Sequence, residues 1–98
     1  MSFKKRPTNS LLLPDATKEH IDKALKDASG YVRMLAMCHK NATQEHISIG
    51  LKDNDENVRL AAIEHPNATK EHVEVALQDT STLVRAVAEE RMKHGFYR

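Results

Sequence analysis

A frame of nine residues recurs three times in this chain at a constant spacing of 26. Ala16, Thr17, Glu19, His20, Leu25, Asp27, Val32, Arg33 and Ala36 return as Ala42, Thr43, Glu45, His46, Leu51, Asp53, Val58, Arg59 and Ala62. They return again as Ala68, Thr69, Glu71, His72, Leu77, Asp79, Val84, Arg85 and Ala88. Self-similarity at a fixed period of this length marks stacked supersecondary units, none of which buries its apolar face alone. The chain therefore divides into units 15–40, 41–66 and 67–92, preceded by a segment 1–14 and followed by a tail 93–98.

Each unit reads as two short helices. Thr17, Thr43 and Thr69 are expected N-caps, whose hydroxyls accept from a free first-turn amide. Glu19, Glu45 and Glu71 place negative charge in the first turn, where it complements the helix dipole. Pro14 and Pro66 lie just upstream and stop the preceding helix. The first helix is expected to run to about Asp27, Asp53 and Asp79. Its inward stripe is Ile21, Ala24, Leu25, then Ile47, Gly50, Leu51, then Val73, Ala76, Leu77, at the i, i+3, i+4 spacing of one helix face. The small middle residue admits a close neighbour, although Gly50 costs its own helix ~1 kcal/mol relative to Ala. A polar turn leads to the second helix, with the stripe Val32, Leu35, Ala36 and its equivalents Val58, Ala61, Ala62 and Val84, Val87, Ala88. Whether that helix is α or 3₁₀ is left open by the sequence.

The ends depart from the frame, as terminal caps of a stack do. Shifted back by one period, Ser10 to Pro14 align with Ala36 to Lys40, so Leu11 to Leu13 are expected to cover the first unit. Arg91 and Met92 replace the His65-Pro66 pair, so the last helix can continue to Lys93 or His94, with Gly95 as its stop. Charge is uneven as well. Residues 15–90 hold nine Lys/Arg against fourteen Asp/Glu, a net of −5, whereas both termini are purely basic. An acidic body is a poor footprint for duplex nucleic acid. One cysteine excludes an internal disulfide and a cysteine-rich metal centre. Leu11 to Leu13 are too short a run for a signal-peptide core or a membrane span. The expectation is a soluble cytoplasmic protein without membrane contact.

The Leu-x-Asp…Val-Arg-x-x-Ala frame, with the His65-Pro66-Asn67-Ala68-Thr69 junction, resembles helical repeats of the HEAT type and, in its shortness, the leucine-rich repeat variant. The resemblance covers 15–92. It implies an all-α fold, a short right-handed α-solenoid of three helical hairpins, whose concave face binds protein or, less often, nucleic acid. It also implies that the Asp and Arg of neighbouring units pair. The cysteine cluster that precedes some variant-repeat arrays is missing, so no iron–sulfur or other cofactor is carried over. A compact free-standing array of this kind also resembles small proteins of bacteria and large bacteriophages.

The candidate chemistry is sparse. Asp27, Asp53 and Asp79 precede Arg33, Arg59 and Arg85 by six residues each, and a ladder of hydrogen-bonded ion pairs that sets register is favoured over a phosphate-binding stripe. Arg59→Ala, in the middle unit, is then expected to destabilise more than Arg33→Ala or Arg85→Ala. His20, His46 and His72 recur, as do His39 and His65. Equivalent positions on stacked helices lie roughly 8–10 Å apart, against a Zn–N bond of about 2 Å, so hydrogen bonding at the turns is favoured over a shared metal ion. No Gly-rich phosphate loop exists. Cys38 and His39, as helix neighbours, point about 100° apart and form no dyad. Neither an enzyme nor a metal protein is expected.

Residues that escape the repeat are the better guide to a partner. Tyr31, Met34, Leu60 and Leu83 lie on the outer face of the second helices, and an apolar patch there marks an interaction surface. Phe96 and Tyr97 add aromatic groups of the kind that dominate binding hot spots. The function expected is a small adaptor or inhibitor that binds another protein. The alternative is nucleic-acid binding through Lys4, Lys5, Arg6, Arg91, Lys93 and Arg98. A lesser alternative is self-association through the open ends of the stack. Phosphate-driven binding collapses with salt, whereas an apolar interface does not.

Overall fold

The computed structural model describes residues 16–95, which form six α-helices and no strand. They are α1 (Lys18–Ala24), α2 (Gly30–Cys38), α3 (Gln44–Gly50), α4 (Glu56–Glu64), α5 (Lys70–Ala76) and α6 (Thr82–His94). The segment 1–14 with its Leu11 to Leu13 cap, the basic residues Lys4, Lys5 and Arg6, and the tail residues Phe96, Tyr97 and Arg98 lie outside the described residues. No helix among the described residues is long and apolar enough to cross a membrane.

The threonines cap the first helix of each unit. Thr17, Thr43 and Thr69 have extended backbones, and their hydroxyls accept from the amides of His20, His46 and His72 at 3.2–3.3 Å. The first helices stop earlier than the spacing suggests. They end at Ala24, Gly50 and Ala76, not near Asp27, Asp53 and Asp79. Beyond them the amides of Asp27, Asp53 and Asp79 bond to the carbonyls of Ala24, Gly50 and Ala76 at 3.1 Å. This i→i−3 tightening is how a helix end satisfies carbonyls that a longer helix would have used. Each Asp carboxylate then accepts the amide two residues on, at 2.8 Å, and so bends the chain into the next helix. Ser29, Asp55 and Ser81 cap the second helices, which are α-helical throughout. Gly95, at φ 68°, closes α6 in the left-handed region that glycine tolerates.

Each first helix packs on the second helix that follows it, and α2, α4 and α6 pack on one another in chain order. The core is aliphatic and continuous, with Ile21, Met37, Ile47, Ile63, Val73 and Val84 shut off from solvent. The closest approach is at Gly50. A Cβ there would collide with Sδ of Met37 and lie 3.0 Å from Cβ of Ala62. Met37 of one unit thus seats between α3 and α4 of the next. Its successor Ile63 is equally buried, but the third occupant of this position is the exposed Glu89. The outward side of the third unit is polar where the first two are apolar.

Candidate functional site

The arginines follow one rule. Arg33 reaches Asp53 of the following unit, Nε to Oδ2 at 2.8 Å and Nη2 to Oδ1 at 3.2 Å. Arg59 does the same to Asp79, at 3.0 and 3.3 Å from Nε. The other side of each guanidinium donates to the carbonyl of Asp27, Asp53 or Asp79 in its own unit, at 2.7–2.8 Å. One arginine therefore ties a turn to itself and to its neighbour. Burial acts to raise the Asp53 carboxyl, but the Arg33 hydrogen bond and the Asp55 amide outweigh it and hold that group below the usual carboxylate value. Arg85 keeps only its own-unit carbonyl, because no described residue supplies a following Asp. The geometry groups the arginines differently from the contrast expected: Arg33 and Arg59 each form a rung to the following Asp, and Arg85 stands apart.

The histidines are structural in an unexpected way. His20, His46 and His72 occupy the third helical position. Their Nδ1 atoms accept the amides of Thr17, Thr43 and Thr69 at 2.9–3.0 Å. They do what Glu or Gln does in the usual capping box. Accepting at Nδ1 places the proton on Nε2. That proton is donated to the preceding unit, from His46 to Oδ1 of Asp22 at 2.5 Å and from His72 to Oγ of Ser48 at 2.8 Å. His39 and His65 accept the amides of Asn41 and Asn67 at 3.0 Å. Nε2 of His65 donates to the carbonyl of His39 at 2.8 Å. Arg91 takes the place of a third such histidine and donates from Nη1 to the carbonyls of Ile63 and His65 at 2.9 and 3.0 Å. Burial lowers the pKa of both His65 and His72. Among the described residues no three His, Cys, Asp or Glu side chains gather as a metal site, and no buried side-chain N or O atom lacks a partner.

Cys38 is solvent-exposed, and partial desolvation with the nearby Glu64 charge raises its thiol pKa, which lowers the fraction of reactive thiolate. Of the residues expected to contact a partner, Tyr31 and Leu83 project into solvent at 63% and 57% exposure. Met34 and Leu60 are half-buried against the core. The expected ridge is therefore broken, with Asn57 between its two exposed ends. Arg91 is folded back on the end of α4, whereas Lys93 near the end of α6 is exposed.

Sequence reasoning missed a second apolar pair. Ile49 and Val75 occupy equivalent positions on α3 and α5 and are 54% and 59% exposed. Ile49 borders a shallow groove with Asp22, Leu25 and Lys26. Lys23, their counterpart in the first unit, was the signal that this position faces solvent. No known protein family, curated protein or solved structure matches the chain.

Proposed function

We propose that this protein is a non-enzymatic protein-binding module, built as a short right-handed solenoid of three helical hairpins of the HEAT or leucine-rich-repeat-variant kind. The repeated junction bonds and the chain-order contacts of α2, α4 and α6 support the architecture. One observation carries the function: Tyr31, Ile49, Val75 and Leu83 are each more than half exposed. Large aliphatic and aromatic side chains left in water at repeated positions mark a contact surface. The repeated Thr, His, Asp and Arg side chains, by contrast, are engaged in caps, turns and junctions. Glu89 on the outward side of α6 argues against stacking of copies end to end.

The test is affinity capture from a native lysate, split by nuclease treatment and by salt. The wild type is compared with the pairs Ile49→Ser/Val75→Ser and Tyr31→Ser/Leu83→Ser. The expected result is a stoichiometric protein that survives nuclease and moderate salt and is lost with one pair but not the other. Capture that vanishes with nuclease or salt would transfer the function to the basic residues instead.

A further inference from the structure

The two histidine clasps between first helices look alike but differ in the atom that receives the histidine proton. His46 donates to a carboxylate, Asp22, which Lys18 also holds at 3.1 Å. His72 donates to a hydroxyl, Ser48, which passes its own proton to the carbonyl of Gln44 at 3.2 Å. The chain of donors at His72 is fully one-way, from the Thr69 amide to Nδ1, from Nε2 to Ser48, and from Ser48 to Gln44. A neutral ring satisfies every bond in it, whereas a proton on Nδ1 displaces the Thr69 amide and leaves the Thr69 hydroxyl, 3.0 Å away, as the acceptor beside it.

The two sites differ in the group that Nε2 meets. Nε2 of His46 faces a carboxylate, and a hydrogen bond to an ionised acceptor is of the stronger kind. His72 instead faces a neutral hydroxyl, Ser48. Burial lowers its pKa and outweighs the Gln44 carbonyl from α3 and the Glu71 charge on α5, both of which favour the charged ring. At His65, just past the end of the preceding helix, burial, the Arg91 guanidinium and the His39 ring oppose a positive ring and together outweigh the His39 carbonyl that accepts from it. These two histidines, whose pKa burial lowers, bracket a single stretch, the link from α4 to α5.

We infer that mild acid loosens the start of α5 and its link to α4, while the equivalent cap of α3 is held by Asp22, so that the joint between second and third hairpins is a proton-operated hinge. The hinge follows from one substitution within the repeat: Asp22 and Ser48 occupy equivalent positions. Buried stripes and the Arg59–Asp79 rung still join the two hairpins in acid, so the device opens a link and does not dissociate the stack.

Amide exchange of the full chain, corrected for the intrinsic pH dependence and followed by NMR between pH 7.5 and 5, reads the two caps separately. The Thr69 amide is expected to lose protection as the pH falls, while that of Thr43 changes little. Ser48→Asp should remove the difference by supplying a carboxylate to His72. Asp22→Ser should transfer the acid response to Thr43. Both positions are accessible to solvent, so neither change disturbs the core. His72→Gln, which keeps the capping box without a titrating group, should abolish the response at Thr69. Equal acid responses at Thr43 and Thr69, or a Thr69 response that persists in Ser48→Asp and His72→Gln, would overturn the inference.

Discussion

Truncating Arg59 and Arg85 to alanine separates what an arginine does within its own unit from what it does between units. Arg59 and Asp79 form a rung in which the side chains are 15% and 9% exposed. Arg59→Ala removes the two contacts to Asp79 and the bond to the Asp53 carbonyl. It leaves a nearly buried carboxylate with the Ser81 amide as its remaining partner. Hydrogen bonds to charged groups contribute about 1.5–3 kcal/mol, and breaking a fully buried pair costs about 3–5. The rung is partly exposed, and solvent screening brings the expectation to about 2–3 kcal/mol. Arg85→Ala removes the bond to the Asp79 carbonyl alone, worth about 1 kcal/mol. For a domain of this size 1 kcal/mol shifts Tm by about 4–8 °C, so a difference of about 1–2 kcal/mol should separate the two melts by roughly 4–16 °C. Arg33→Ala should group with Arg59→Ala, because its contacts to Asp53 repeat the rung.

The assay is thermal and urea unfolding followed by circular dichroism, extended to the Arg59→Ala/Asp79→Ala double variant. The double-mutant cycle isolates the rung from the carbonyl bond. Equal melting of Arg59→Ala and Arg85→Ala, or a coupling energy below about 0.3 kcal/mol, would refute the assignment of register to the ladder.

Three further outcomes follow from packing and protonation. Gly50→Ala should destabilise by about 1–2 kcal/mol in urea unfolding despite the better helix propensity of alanine, because the new methyl meets the enclosed Met37; unchanged or greater stability would show that Met37 yields freely. Glu89→Met should restore the apolar pattern of Met37 and Ile63 to the outward side of α6 and promote concentration-dependent association in sedimentation velocity, whereas an unchanged monomer fraction would remove the polar-cap argument. Stability should fall as pH is lowered below about 6.5. His65 and His72 have folded pKa values below the ordinary 6.5, so in that window the unfolded chain binds more protons and stability rises with pH. Their contribution is complete above about 6.5 and is lost as pH falls towards the folded values. Urea midpoints at a series of pH values check this, and His72→Gln should flatten the profile while leaving the midpoint at pH 7.5 nearly unchanged.

What the sequence disclosed and what it concealed divide along a physical line. Apolar stripes and threonine caps are local, and a period of 26 repeated three times averages out the accidents of any one unit. The helix pairs, the N-caps and Gly95 as a stop were therefore legible. The direction of the ladder was not. Arg33 lies six residues from Asp27 and twenty from Asp53, and no local rule chooses between them. The structure uses both, the carbonyl of one and the carboxylate of the other. The histidines were legible as repeated polar residues, but their role as capping-box acceptors was hidden, because Glu and Gln are the residues that rule anticipates. Thr at the cap with His three residues on, repeated in every unit, was the available sign. The early ends of α1, α3 and α5 were concealed for a related reason. Leu25, Leu51 and Leu77 continue the apolar stripe, yet their backbones already cap the helix, so a side-chain pattern outlasts the hydrogen-bond pattern it usually reports. The surface shows the converse. Met34 and Leu60 stand at positions equivalent to the exposed Ala86 but are drawn half under the core, while Ile49 and Val75 stand where Lys23 does and stay in water. Within a repeat, a position held by lysine in one unit and by a large apolar residue in the next two is one that the fold does not need to bury. The proposed binding surface accounts for that exchange by placing Ile49 and Val75 where a partner would cover them.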